Sequence, residues 1–401
     1  MLIKKDHLYA SIWASLAIGS LLFNTMFGAL AALTFLIAGT AYAASNLIYT
    51  NRVCRKNWEL FVVPALCFLS AVWSDIPITV IRGSIQLLLT TIFAVVIASR
   101  LNMNLFLRAA AIIMLLAMAM SLFSSRTALN GMTGEISLIG IFGSKNYLAT
   151  NTSMCIVVAI TLLLNKKIDT ASRVLGFILL AISALVLIKA KSLGAIVFIV
   201  GSILISLSIV IYQNMSLDKF TRSKFNYLIS FICLFALFFL VYSLANHSFN
   251  EFMFSIGKDP TLTGRTYLWE RGINLIADKP LFGVGFQSLF YVGNNVAEDI
   301  WAIHHVPSGA GFNFHNMYID IAVELGLIGL FSYIYLIMVF IRRIFSLKKI
   351  TIGSSHFFSI LMLSYLFFQA FLEAVWFEQF TIIHLFMCMA WVYLKGDESN
   401  D

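Results

Sequence analysis

The chain has 401 residues, of which 60% are hydrophobic and 11% charged, with a net charge of +8 and a mean hydropathy of +0.90. Soluble domains carry about 25% charged residues, so this composition excludes a water-soluble enzyme, a disordered regulator and a nucleic-acid-binding globule. It fits an integral membrane protein.

At roughly 20 residues per spanning helix, apolar runs at 8–25, 27–49, 60–74, 79–98, 109–123, 147–164, 174–189, 193–212, 227–244, 316–341, 356–372 and 380–394 predict twelve spans. Lys4 and Lys5 before the first run resemble the start of a secretion signal, but a second run follows at once, which predicts a retained helix. With the N-terminus inside, alternation of sides places 18 of the 27 basic residues inside, as the positive-inside rule requires. The expected fold is an all-α polytopic membrane protein of about 12 transmembrane helices: helices 1–9 within 1–244, a large outer loop at 245–315, and helices 10–12 with a short inner tail at 316–401. Cys54, Cys67, Cys155, Cys233 and Cys388 are scattered with no CxxC pair, predicting neither a disulfide framework nor a zinc site.

The nine outer-side cations call for a reason. Arg82 enters the fourth span just after Trp73-Ser74-Asp75-Ile76-Pro77, and Lys145 enters the sixth in Gly140-Ile141-Phe142-Gly143-Ser144-Lys145-Asn146. Lys189 and Lys191 interrupt one apolar stretch from 174 to 212; an anionic ligand is a reasonable explanation for them, and the plain alternative is a short exposed hairpin between spans seven and eight. Taken with the cations of the outer loop, they point to a cavity for something strongly anionic, such as a pyrophosphate.

In that loop, Leu268, Trp269, Gly272, Ile273, Leu275 and Ile276 recur at helical spacing, predicting an amphipathic helix at the membrane–water boundary with Thr263 as its N-cap. Asp278-Lys279-Pro280 and a turn at Gly283-Val284-Gly285 end it, and 286–314 would form a lid. Arg265 falls in the first turn, where free N–H groups and the helix dipole favour an anion; the alternative is an Arg snorkelling to lipid headgroups. His315 sits at the mouth of the tenth span, placed either to take a proton from a hydroxyl or for a structural role. Asp320 and Glu324 share a face by their four-residue spacing and are expected to bond to neighbouring helices. No phosphate loop, HExxH, GxSxG or paired-carboxylate metal motif occurs, so neither metal nor cofactor is expected.

Gly264-Arg265-Thr266-Tyr267-Leu268-Trp269 with Pro280-Leu281-Phe282-Gly283-Val284-Gly285, then His315-Asn316-Met317-Tyr318 with Glu324-Leu325-Gly326-Leu327-Ile328-Gly329-Leu330, resembles the signature of the bacterial O-antigen ligase and polymerase superfamily. Trp73–Pro77, Gly143–Asn146 and Lys191-Ser192 resemble its exopolysaccharide and O-antigen polymerase branch. The resemblance runs from about 70 to 330. It implies a GT-C-type glycosyltransferase of the bacterial inner membrane, with the 245–315 loop and active site facing the periplasm.

The implied donor is a glycan on undecaprenyl pyrophosphate. The acceptor is another lipid-linked repeat unit for a polymerase or lipid A-core for a ligase. By position, Arg265 would bind the donor pyrophosphate, helped by Lys191, Lys189, Lys145 and Arg82, and His315 would serve the acceptor or general-base step. Lys191 stands where many members have Arg, and lacks the bidentate fork. Such a donor is already activated, so cations, exclusion of water and a placed hydroxyl suffice for metal-independent, inverting transfer. A transporter or flippase for lipid-linked oligosaccharide is the competing class; the concentration of polar signals in one outer loop and at outer helix ends favours surface chemistry over passage.

Overall fold

The computed structural model describes residues 2–129, 134–215, 264–347, 349–374 and 376–396, with side chains from Ser11 onward. The expected ninth span at 227–244, with Cys233, the inner-side cations Lys219, Arg222, Lys224 and Lys348, and Thr263, lies outside the described residues.

The described chain is helical apart from one hairpin. In order, α1 is Leu2–Leu22, α2 Asn24–Phe27, α3 Ala29–Ala44, α4 Leu47–Lys56, α5 Val62–Leu69, α6 Pro77–Arg100 and α7 Met103–Phe123. Antiparallel strands β1 (Thr127–Leu129) and β2 (Ile136–Leu138) follow. Then come α8 Lys145–Leu164, α9 Thr170–Ala190, α10 Leu193–Asn214, α11 Arg265–Asp278, α12 Asn295–Ile303, α13 Met317–Ser346, α14 Ser355–Gln369 and α15 Ile382–Leu394. Polar side chains cap the starts: Asn102, Ser144, Asp169, Asn294, Asn316, Ser354 and Thr381 each accept a free N–H of the helix that follows.

The expectation of about twelve spans is overturned. Among the described residues only α6, α7, α8, α9, α10 and α13 are long and apolar enough to cross a bilayer, or seven spans if α3 and α4, bent by 100°, count as one. The run at 60–74 breaks into α5, eight residues long, between two short 3₁₀ turns. α14 and α15 have 15 and 13 residues, about 20 Å at 1.5 Å per residue against a hydrocarbon core of about 30 Å. Both are buried on nearly every face, α15 packing on α6 and α14 on α10. Their apolar runs reflect enclosure by protein, which hydropathy does not distinguish from enclosure by lipid.

Contacts sort the polar residues to two ends of the bundle. At one end Glu59 binds both Arg343 (2.7 Å) and Lys395 (2.8 Å), Arg100 lies over the rings of Tyr42 and Tyr49, and Arg108 meets Asp169 at 2.9 Å. At the other lie the hairpin, α11, α12 and the 370–381 connection. There α11 and α12 build a second core around Leu268, Ile300 and Phe314, so 286–314 is a packed unit.

α13 is broken at Gly326, whose φ of 65° is left-handed. Within a helix, the N–H groups of Leu327 and Ile328 would bond to the carbonyls of Val323 and Glu324. Here they donate to Pro280 (2.8 Å) and Leu281 (3.4 Å), while the freed carbonyls accept from Val284 (2.9 Å) and Gly285 (2.8 Å). A Cβ on Gly326 would lie 2.3 Å from the backbone of Leu281, and one on Gly283 2.4 Å from the carbonyl of Val323. The segment after α11 and the break in α13 are thus two halves of one interlock, and it holds α11 over the start of α13.

Candidate functional site

The site is organised by the short connection between α14 and α15. Gln369 ends α14, its carbonyl accepting from the N–H groups of Leu372 (3.0 Å) and Glu373 (2.9 Å), while its side chain donates to Thr150 of α8 (3.0 Å). Phe380, at the far end of the connection, donates to Thr90 of α6. This frame fixes Glu373, whose side chain is only 15% exposed.

Glu373 joins the two residues that the sequence singled out most strongly. Its Oε1 lies 2.6 Å from Arg265 Nη2, and its Oε2 2.9 Å from His315 Nδ1. Arg265 Nη1 also donates to the Leu372 carbonyl at 2.5 Å. Burial by itself pushes the Glu373 carboxyl up; His315 and Arg265 together more than offset it and hold it below the ordinary carboxylate range.

Each partner is held locally. Arg265 opens α11 behind Gly264, which is left-handed (φ 81°) and lies so close to His304 that a Cβ would come within 2.9 Å of its ring. Gly264 occupies the N-cap position itself and offers no side-chain cap. Trp269 ties the next turn to the Phe314 carbonyl (3.0 Å). His315 has a φ of 50°, donates its N–H to Asn313 Oδ1 (2.9 Å), and stands between Phe314, whose N–H goes to Asp320, and Asn316, which caps α13.

A carboxylate only accepts, so Nδ1 carries the proton in the His315–Glu373 bond, and in the neutral ring Nε2 keeps its lone pair. No described residue bonds to Nε2, and the side chain is 33% exposed. The arrangement can therefore take a proton at Nε2 with the resulting charge stabilised by Glu373, the logic of a carboxylate-oriented imidazole base.

The other sequence candidates lie on α6, at the start of α8 and at the end of α9. Lys191, left-handed at the end of α9 (φ 52°), lies 3.7 Å from Glu135 at the hairpin. Three residues on, Gly194 packs against Leu372, 3.1 Å from a Cβ position, which brings the start of α10 to the same connection. Lys145 is the first residue of α8, one and a half turns before Thr150. Arg82 is exposed on α6 beside Gly83, which faces Phe286 and Gln287. Lys189 is exposed in the last turn of α9, with no described contact to the centre.

Two residues escaped the sequence analysis. Glu373 lies between the last two apolar runs, where a carboxylate in so short an outer-side break was the available signal. His304 packs on Tyr267 and Phe312 and is pushed below the usual imidazole range by burial, then by His315 and His305. Asp320, expected to bond a neighbouring helix, instead holds the Phe314 N–H at 3.0 Å on the approach to His315.

The O-antigen ligase family matches residues 176–334, a stretch that holds Lys189, Lys191, Arg265 and His315 but stops short of Glu373. The exopolysaccharide production protein ExoQ of Rhizobium meliloti is 47% identical over 95 residues, 24% of this chain and 21% of that protein. A candidate polysaccharide ligase of Rickettsia felis is 30% identical over 100 residues, 23% of each chain. The matched stretches thus span under a quarter of either relative.

Proposed function

We propose, from the match of residues 176–334 to the O-antigen ligase family and the likeness to two polysaccharide-assembly proteins, that the protein is a glycosyltransferase of surface-polysaccharide assembly, extending or transferring a glycan carried on undecaprenyl pyrophosphate. The observation that carries the proposal is Glu373 gripping Arg265 and His315 at once while leaving His315 Nε2 open.

In the proposed reaction an acceptor hydroxyl attacks the anomeric carbon of the donor in line with the bond to pyrophosphate. The new C–O bond forms as the bond to the leaving oxygen breaks, which inverts the anomeric configuration, and the hydroxyl proton passes to His315 Nε2. Undecaprenyl pyrophosphate leaves with its charge met by the cations of this end, Lys191, Lys189, Lys145 and Arg82 with Arg265. Because both terminal nitrogens of Arg265 are engaged at 372–373, Arg265 positions Glu373 as well as lending charge. The acceptor is a second lipid-linked repeat unit or lipid A-core. The protein would sit in the bacterial inner membrane with this end in the periplasm.

The test is to incubate purified protein with lipid-linked glycan, with and without lipid A-core. Growth of the lipid-linked chain assigns a polymerase and glycan on lipid A a ligase; neither product removes the proposal.

A further inference from the structure

Next to the His315–Glu373 pair lies a cavity of about 470 Å³, lined by their neighbours Phe314 and Ala374. Three carboxylates reach its wall, Asp320, Glu324 and Glu378, and no lysine or arginine does among the described residues. A row of acids alone would signify little. Asp320, however, is only 8% exposed, and with Oδ1 occupied by the Phe314 N–H, its Oδ2 is buried with no hydrogen-bond partner among the described residues. A buried acceptor left empty is costly, which points to a donor brought by a ligand. Aromatic rings, among them Phe290, Phe312 and Trp376, line the same space and offer flat apolar faces. Those same described residues contain no group of three His, Cys, Asp or Glu able to hold a metal ion, which argues against a divalent cation as the occupant.

Resting on the glycosyl-transfer reading, we propose that this cavity holds a sugar ring of the glycan substrate and selects neutral or amino sugars over acidic ones. Hydroxyl and ammonium donors satisfy the carboxylates while the C–H face of the ring lies on the aromatics. A uronate or phosphorylated sugar would bring its charge into a space walled by three acids that offers it no lysine or arginine among the described residues. The site is then divided by charge, with the pyrophosphate drawn to the cations around Arg265 and the glycan to the acidic, aromatic side.

The test uses full-length protein in detergent and measures binding of maltotetraose, a glucosamine tetramer and tetragalacturonate. The first two are expected to bind at least about tenfold more tightly than the third. Asp320→Asn and Glu378→Gln should each narrow that gap by admitting the galacturonate; should Asp320→Asn fail to fold, Glu378→Gln, on an exposed side chain, decides alone. Equal binding of all three, or a gap unchanged in the variants, overturns the proposal. Transfer is assayed on the same preparations: selective binding without transfer defeats the glycosyltransferase reading and leaves the sugar site standing, whereas transfer of acidic and neutral glycans at equal rates defeats the sugar site alone.

Discussion

Glu373 Oε2 lies 2.9 Å from His315 Nδ1 across 58 residues of sequence, and the other oxygen of the same carboxylate lies 2.6 Å from Arg265. One buried acid thereby sets the proton position on the imidazole and the orientation of the guanidinium, and links α11, the start of α13 and the connection after α14.

Glu373→Gln preserves shape but turns an amide N–H toward His315 Nδ1, which favours the tautomer with the proton on Nε2. Turnover should fall about 10²–10⁴-fold with donor affinity largely kept. Because the native carboxyl is held below its ordinary range, its contribution to stability is complete above the unfolded carboxylate pKa of about 4.3 and is lost as pH falls through the lower folded value. The melting temperatures of wild type and Glu373→Gln should differ by a constant amount at neutral pH and converge in acid; a gap that widens on acidification contradicts this.

Arg265→Ala removes charge-assisted hydrogen bonds worth about 1.5–3 kcal/mol, and transfer should fall about ten- to hundredfold or more. Arg265→Lys should recover only part, since a single ammonium does not span the Leu372 carbonyl and Glu373 as the planar fork does. Full recovery by Lys would show that charge alone matters.

Gly326→Ala forces a Cβ against the Leu281 backbone at a left-handed φ and should cost at least about 1–3 kcal/mol, read as a fall in melting temperature in detergent. Gly201→Ala, with nothing within 4 Å in the middle of α10, should be neutral or raise it, by about 0.4–1 kcal/mol. Equal responses would refute the interlock.

A cysteine replacing Val292, 68% exposed beside α12, should react with a membrane-impermeant thiol reagent in intact cells, and one replacing Ser346 at the end of α13 should not. The reverse pattern inverts the proposed orientation.

Arg265 and His315 could be singled out in the sequence because each stands in an ordered local motif, Arg265 opening α11 and His315 two residues before α13, and α11 because its apolar spacing is helical. The span count was not, since α14 and α15 are as apolar as lipid-facing helices while sitting inside protein. Glu373 escaped because it lies one residue past the apolar run ending at 372, where hydropathy reports a boundary and says nothing of partners 58 and 108 residues away. The break at Gly326 was equally hidden: the run from 316 to 341 is continuous in hydropathy, and only the exchange of hydrogen bonds with 280–285 interrupts it.

The most direct measurement is single-turnover transfer from a purified undecaprenyl-pyrophosphate glycan by wild type and His315→Ala, with donor binding measured on the same samples. A loss of about 10²–10⁴-fold in the chemical step at near-normal donor affinity is expected if Nε2 takes the acceptor proton. Near wild-type transfer by a properly folded His315→Ala protein would place the chemistry elsewhere.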